Sequence, residues 1–155
     1  MRLLLQGTGA ADGIPALFSP SRVSAYAREH RGKDIRTRSA ALLNGHIKID
    51  FGPDTWAQAS RDGLRPCDWT DLCITHSHDD HLALGELQYM LYPFNESFGA
   101  PLVIHCNEEV AREIEQYYPG WPFEIRILRS FEPTQLGDIC LTPISAYHKL
   151  DEDSL

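Results

Sequence analysis

The sequence predicts an α/β fold, with a mixed sheet layered against helices. Three observations carry this. Short apolar runs recur ahead of segments with helical signals, the order that produces strand–helix layers. Asn44-Gly45 between two apolar runs marks a hairpin, so part of the sheet is antiparallel. The 155 residues, 43% of them hydrophobic, suit one domain with its own core.

The elements follow in order. Residues 3–5 form a first strand, ending in the turn Gly7-Thr8-Gly9. Residues 18–38 are polar and basic and read as a long surface excursion, with one helical turn near residues 25–30. Residues 39–43 and 47–51 are the strands of the hairpin, and Gly52-Pro53 stops the second. Asp54 or Thr55 caps a helix over residues 56–61, which Gly63 ends. Residues 72–75 form an apolar strand that runs into a group of histidines. Residues 82–91 read as a helix closed by Pro93. A strand over residues 102–104 follows, and then a helix capped by Asn107. Glu108 and Glu109 occupy its first turn, where the helix dipole favours them. Val110, Ile114, Tyr117 and Tyr118 fall on its apolar face and are expected in the core. Residues 123–128 and 139–144 are the last strands, joined through a turn near Gly137-Asp138.

Composition narrows the function. Fourteen basic residues face 22 acidic ones, a formal charge of -8. Nucleic-acid surfaces need clustered Lys and Arg, so an extended nucleic-acid partner is not expected. A small phosphate ester remains compatible, because a metal site neutralises it locally. Cys67, Cys73, Cys106 and Cys140 form no C-x-x-C pair and read as reduced, mostly packed thiols of a cytoplasmic protein. The three leucines after Arg2 are too few for a signal core or membrane span.

The chemistry concentrates in Thr75-His76-Ser77-His78-Asp79-Asp80-His81. In extended backbone, residues two apart point the same way, so His76 and His78 can grip one ion. Asp80 and His81 follow where the chain turns and can hold a second ion. Nitrogen and carboxylate donors without thiolate suit zinc, manganese or iron. A polar loop with scattered histidines is the plainer reading. Three histidines and two aspartates in six positions argue against it, because packing them together costs repulsion and desolvation unless a cation is present.

Residues 75–81 match T-H-x-H-x-D-H, and on these residues the chain resembles the metallo-β-lactamase superfamily. The resemblance implies an αβ/βα sandwich, of which residues 1–155 would be the N-terminal part. It makes Asp50, in Ile49-Asp50-Phe51-Gly52, a buried group that holds the metal loop without touching the metal. It makes His148 the third histidine of the first metal site. Gly7-Thr8-Gly9 through Gly13-Ile14-Pro15, with residues 36–43, looks like the phosphoribosyl cyclic phosphodiesterase branch, which also resembles ribonuclease Z. That branch commonly carries C-x-C-x-x-C after Pro15, holding an accessory zinc. Ser19, Ser21 and Ser24 stand there instead, so that zinc is expected to be absent. The family takes a bridging aspartate and a last histidine from a second half of the sandwich. This chain stops at Asp153-Ser154-Leu155, after an acidic tail and with no closing element, and reads as a domain cut partway.

The remaining motifs read as structural. Gly13 comes one position late for a dinucleotide loop, so Gly7-Thr8-Gly9 is a turn. His105 reads as a satisfied edge residue, His30 and His46 as exposed, and Trp121-Pro122-Phe123 as a packed corner. The expected function is a metal-dependent hydrolase of a small phosphodiester, cyclic ones included, acting through a metal-activated water. His76, His78 and His148 would hold one ion, and Asp80 and His81 would help hold another. Other esters, lactones and thioesters stay open within the superfamily. The competing class is an incomplete or non-catalytic metal-binding fragment. It predicts exposed apolar surface where a second sheet would pack, and self-association into a homo-oligomer.

Overall fold

Six strands form one mixed sheet: β1 (Leu3–Gly7), β2 (Ala40–Leu43), β3 (Ile47–Ile49), β4 (Asp71–Cys73), β5 (Val103–Cys106) and β6 (Glu124–Ile127), adjacent in that order. The computed structural model describes residues 1–95, 102–148 and 152–155, so residues 149–151 of the acidic tail lie outside it. β1, β2 and β3 run antiparallel, and β3 to β6 are parallel. The β2–β3 turn places Asn44 and Gly45 both at positive φ, 51° and 85°. Hairpin turns of matching twist need that conformation, and Asn-Gly supplies it at low cost.

Three helices complete the frame: α1 (Arg22–His30), α2 (Thr55–Asp62) and α3 (Glu108–Tyr117). Asn107 caps α3 through its side chain, which accepts from the Val110 amide. Val110, Ile114 and Tyr118 are buried against Leu72, Ile74, Ile104 and Cys106. This is the main core. Losing one of its large aliphatic side chains costs roughly 2–5 kcal/mol. A short two-stranded sheet, β7 (Thr134–Leu136) and β8 (Ile139–Leu141), covers part of the opposite face. There Leu136 packs with Leu43, Ile47 and Cys73. On that same face Leu3 and Leu5 stay 54% and 61% exposed.

Several expectations are corrected. The excursion holds a two-and-a-half-turn helix rather than one turn. The Ser21 hydroxyl caps α1 at Ser24, and Arg28 ties it to the Ala16 and Ser19 carbonyls. Asp54 does not cap α2 with its side chain. Its carboxylate is taken by Arg38, through the backbone amide at 2.8 Å and the guanidinium at 2.9 Å. Residues 84–90 form a 3-10 segment, Leu84–Met90, not an α-helix. β6 does not lead directly to β8, because β7 intervenes and pairs with β8 away from the main sheet.

Tyr118 is buried but Tyr117 is 57% exposed. His105 lies wholly buried between two strands, not at an edge. Its Nε2 meets Asp71 at 2.8 Å, while its Nδ1 has no partner. His46 is half-buried, and His30 is exposed and stacked on Tyr26. Trp121 and Phe123 pack on Tyr118, though Trp121 stays 41% exposed. Cys73 and Cys106 are buried and Cys67 and Cys140 exposed, so packing claims two of the four thiols. Burial pushes both buried thiols up to about 12. No helix among the described residues is long and apolar enough to cross a membrane.

Candidate metal centre

The parallel strands β3 and β4 deliver the site's residues past their C-terminal ends, where open α/β sheets place ligands. Asp50 directly follows β3. It sits at φ 59°, a conformation Asp tolerates better than most residues. Its amide donates to the Cys73 carbonyl at 2.8 Å, which keeps it in register with β4. Gly52 comes next. A Cβ there would lie 1.9 Å from the Asp80 carbonyl oxygen. Only glycine lets the metal loop pass this close, and the Phe51 amide then bonds the His81 carbonyl at 2.8 Å.

The Asp50 carboxylate organises the loop. Its Oδ1 accepts from the Thr75 amide at 2.9 Å and the Thr75 hydroxyl at 2.8 Å. Its Oδ2 lies 2.7 Å from His81 Nδ1. The Thr75 hydroxyl has spent its proton on Asp50, so it can only accept from His76 Nδ1, 3.0 Å away. His76 Nδ1 therefore carries the proton, and Nε2 keeps a free lone pair. By the same logic His81 donates through Nδ1 and turns Nε2 toward Asp80 Oδ2, 3.2 Å away.

The structure brings His76, His78 and His148 together. Their ligand atoms lie within 4.8 Å of one another, with His76 buried, His78 half-buried and His148 exposed. His78 Nδ1 lies 3.1 Å from His76 Nε2 and 3.2 Å from His148 Nε2. A single ring nitrogen has one proton or one lone pair, so it cannot satisfy both neighbours by hydrogen bonding. A cation among the three nitrogens resolves that crowding, and the donor set fits a divalent ion of the zinc type. Burial, together with His81, His78 and His148, lowers the His76 pKa to about 4. His76 is thus neutral at ordinary pH, the form a metal requires.

Asp80 and His81 lie beside each other, and the His81 ring sits 4.1 Å from the His76 ring, centroid to centroid. Burial opposes charge on His81, but Asp50 and Asp80 outweigh it and raise its pKa. Among the described residues they acquire no third donor group. At the expected accessory-zinc positions, Ser19, Ser21 and Ser24 use their hydroxyls as backbone acceptors, each from an amide at 3.2 Å. A cavity of about 970 Å³ lined by Trp69, Tyr89, Tyr92, Trp121 and Phe123 lies at the other end of the parallel strands, away from the histidines.

The sequence reading missed Thr75 as the relay between Asp50 and His76. It also missed Gly52, and Glu152, which bonds Ser77 inside the metal loop. The D-x-G spacing after β3 is a signal that could have pointed to Gly52.

The sequence matches no family model, and no curated protein matches it. Its fold does have solved counterparts. A diphosphatase of the PhnP family superposes with TM-score 0.66 at 22% identity, over 86% of this chain and 53% of that one. The Zn(2+)-bound PqqB of Methylobacterium extorquens gives TM-score 0.67 at 17% identity, over 87% of this chain and 48% of that one. YhfI of Bacillus subtilis, a metallo-β-lactamase fold protein, gives 0.63 at 14%, over 96% and 54%. The chain spans about half the length of these structures and has the N-terminal part of the metallo-β-lactamase fold.

Proposed function

We propose that this protein is the metal-binding part of a metal-dependent hydrolase, and that its substrate is a small phosphodiester. One observation carries the reading: three imidazole nitrogens converge from two separate loops, one of them with its lone pair fixed inward by a Thr75–Asp50 relay. His76, His78 and His148 hold the ion, and Asp80 with His81 offers a weaker second position. A divalent ion there supplies charge that polarises a phosphoryl oxygen and makes water more acidic.

The residues set up the rest. Asp50 and Thr75 keep His76 in the required tautomer. Asp80 Oδ2 and His81 Nε2, 3.2 Å apart and partly buried, form a pair able to hold charge or a proton. A diphosphatase and a zinc-bound protein among the fold's relatives support a phosphoester substrate and zinc. The partners are then small phosphoesters, not nucleic acid.

The test compares a chromogenic phosphodiester, a 2′,3′-cyclic nucleotide, a lactone and a thioester, with zinc or manganese added. Phosphodiester hydrolysis that is lost on chelation and in His76→Ala is expected. Activity surviving both changes contradicts the proposal. Metal binding without turnover of any substrate favours a non-catalytic metal-binding domain.

A further inference from the structure

Glu152 fastens the segment that carries His148 to the loop that carries His76 and His78. We infer that it is a positioning residue that sets the spacing of the three imidazoles. The inference rests on the reading that these histidines hold a metal.

Ser77 lies between two of those histidines, is buried, and is engaged twice by one carboxylate. Glu152 Oε1 accepts from the Ser77 amide at 2.9 Å, and Oε2 accepts from the Ser77 hydroxyl at 2.8 Å. Gripping an amide and a hydroxyl of one residue fixes the orientation of that peptide, and so the directions in which His76 and His78 leave it. Bonds to an ionised acceptor are the strong kind.

Oε1 also accepts from Asn107 Nδ2 at 2.7 Å. Asn107 is itself held to the frame, because its Oδ1 caps α3. The brace is therefore anchored on the frame as well as on the loop.

The other end of the brace reaches His148. Ala146 and Ser154 form a β-bridge, which ties the residues just before His148 to the segment 152–155. Asp153 accepts from the Ser145 and Ser130 hydroxyls, each at 2.7 Å. The Leu155 amide bonds the Thr75 carbonyl at 3.0 Å. His148 itself is exposed, and the described contacts of its side chain are with the His76 and His78 rings. What places it is the docking of 152–155 on the metal loop, with Glu152 at the centre.

The test measures zinc affinity of the metal-free chain by competition with a chromophoric chelator. Glu152→Ala should weaken zinc roughly tenfold or more, the usual cost of losing a group behind a metal ligand. Glu152→Gln should recover part of that, since its amide oxygen still accepts from Ser77. A residue that only stabilised the fold would weaken zinc equally with or without His148. A positioning residue also joins His148 to the other two histidines, so Glu152→Ala should cost clearly less in a His148→Ala background, where only the orientation of His76 and His78 is left to lose. Unchanged zinc affinity in Glu152→Ala overturns the inference, as does an equal loss in both backgrounds. Absence of zinc binding by the unsubstituted chain overturns instead the metal reading beneath it.

Discussion

The two sides of the candidate metal centre are built differently. His76 stands on ground laid by the sheet. Asp50 and Thr75 follow adjacent parallel strands, backbone bonds lock them in register, and the imidazole is buried. His148 lies beyond the small β7–β8 sheet, exposed, near a segment, 152–155, that side-chain bonds hold to Ser77 and Ser130. Register costs nothing further once the sheet has formed. A braced loop must be ordered by its own contacts and opens more readily. The first side should be preformed in the metal-free protein, and the second should be the one that metal tightens.

The sharpest way to break this contrast is at Gly52. Gly52→Ala places a methyl group 1.9 Å from the Asp80 carbonyl, on the sheet-built side. Something must move there, so a loss of about 3 kcal/mol in stability is expected, with zinc binding lost. Chemical denaturation with a zinc titration checks both. Asp50→Asn comes next. It weakens the relay that fixes the His76 and His81 tautomers, and zinc affinity should fall roughly 10–100-fold by the same titration. His76→Ala and His148→Ala test the asymmetry itself. The preorganised ligand should matter more, by roughly tenfold in zinc affinity. Equal losses would erase the distinction drawn between the two sides.

The smallest effect separates the sheet from the centre. Lys48 is fully buried on β3, its ammonium bonding the Ile49 carbonyl at 3.2 Å and lying 5.9 Å from the centre of the Trp69 ring. Burial lowers its pKa to about 8, with Asp50 opposing. Between this value and the ordinary 10.5 the unfolded chain binds a proton that the folded chain lacks, so stability rises with pH there. Above about 9 the buried thiols of Cys73 and Cys106 oppose the trend, because their raised pKa values keep them protonated only when folded. From pH 8 to 9, Lys48 should therefore contribute a rise of about 1 kcal/mol. Lys48→Met should flatten that slope in denaturation curves and leave zinc affinity within about twofold.

What the sequence disclosed follows the range of each signal. The hairpin was readable because Asn44-Gly45 encodes its own turn. The metal loop was readable because its donors lie within six positions. α1 was underestimated because its order comes from Ser21 and from Arg28 reaching back 12 residues to Ala16. β7 escaped notice because Thr134-Gln135-Leu136 offers one apolar residue, and that residue's burial depends on Leu43 and Ile47 far away. Glu152 acts on a serine 75 positions earlier. No local pattern marks a glutamate or a serine for such a role. Residues 54 and 55 carried a sound capping signal, but Arg38 claimed the Asp54 carboxylate, a tertiary pairing that outweighed the local preference.

The central claim is that His76, His78 and His148 form one metal site from two loops. Titration of the metal-free chain with cobalt(II), followed by its visible absorption, tests it most directly. One tightly bound ion per chain is expected, with any second ion much weaker, and the spectrum should change in His76→Ala, His78→Ala and His148→Ala alike. No binding at all, or a spectrum that His148→Ala leaves unaltered, would contradict the claim.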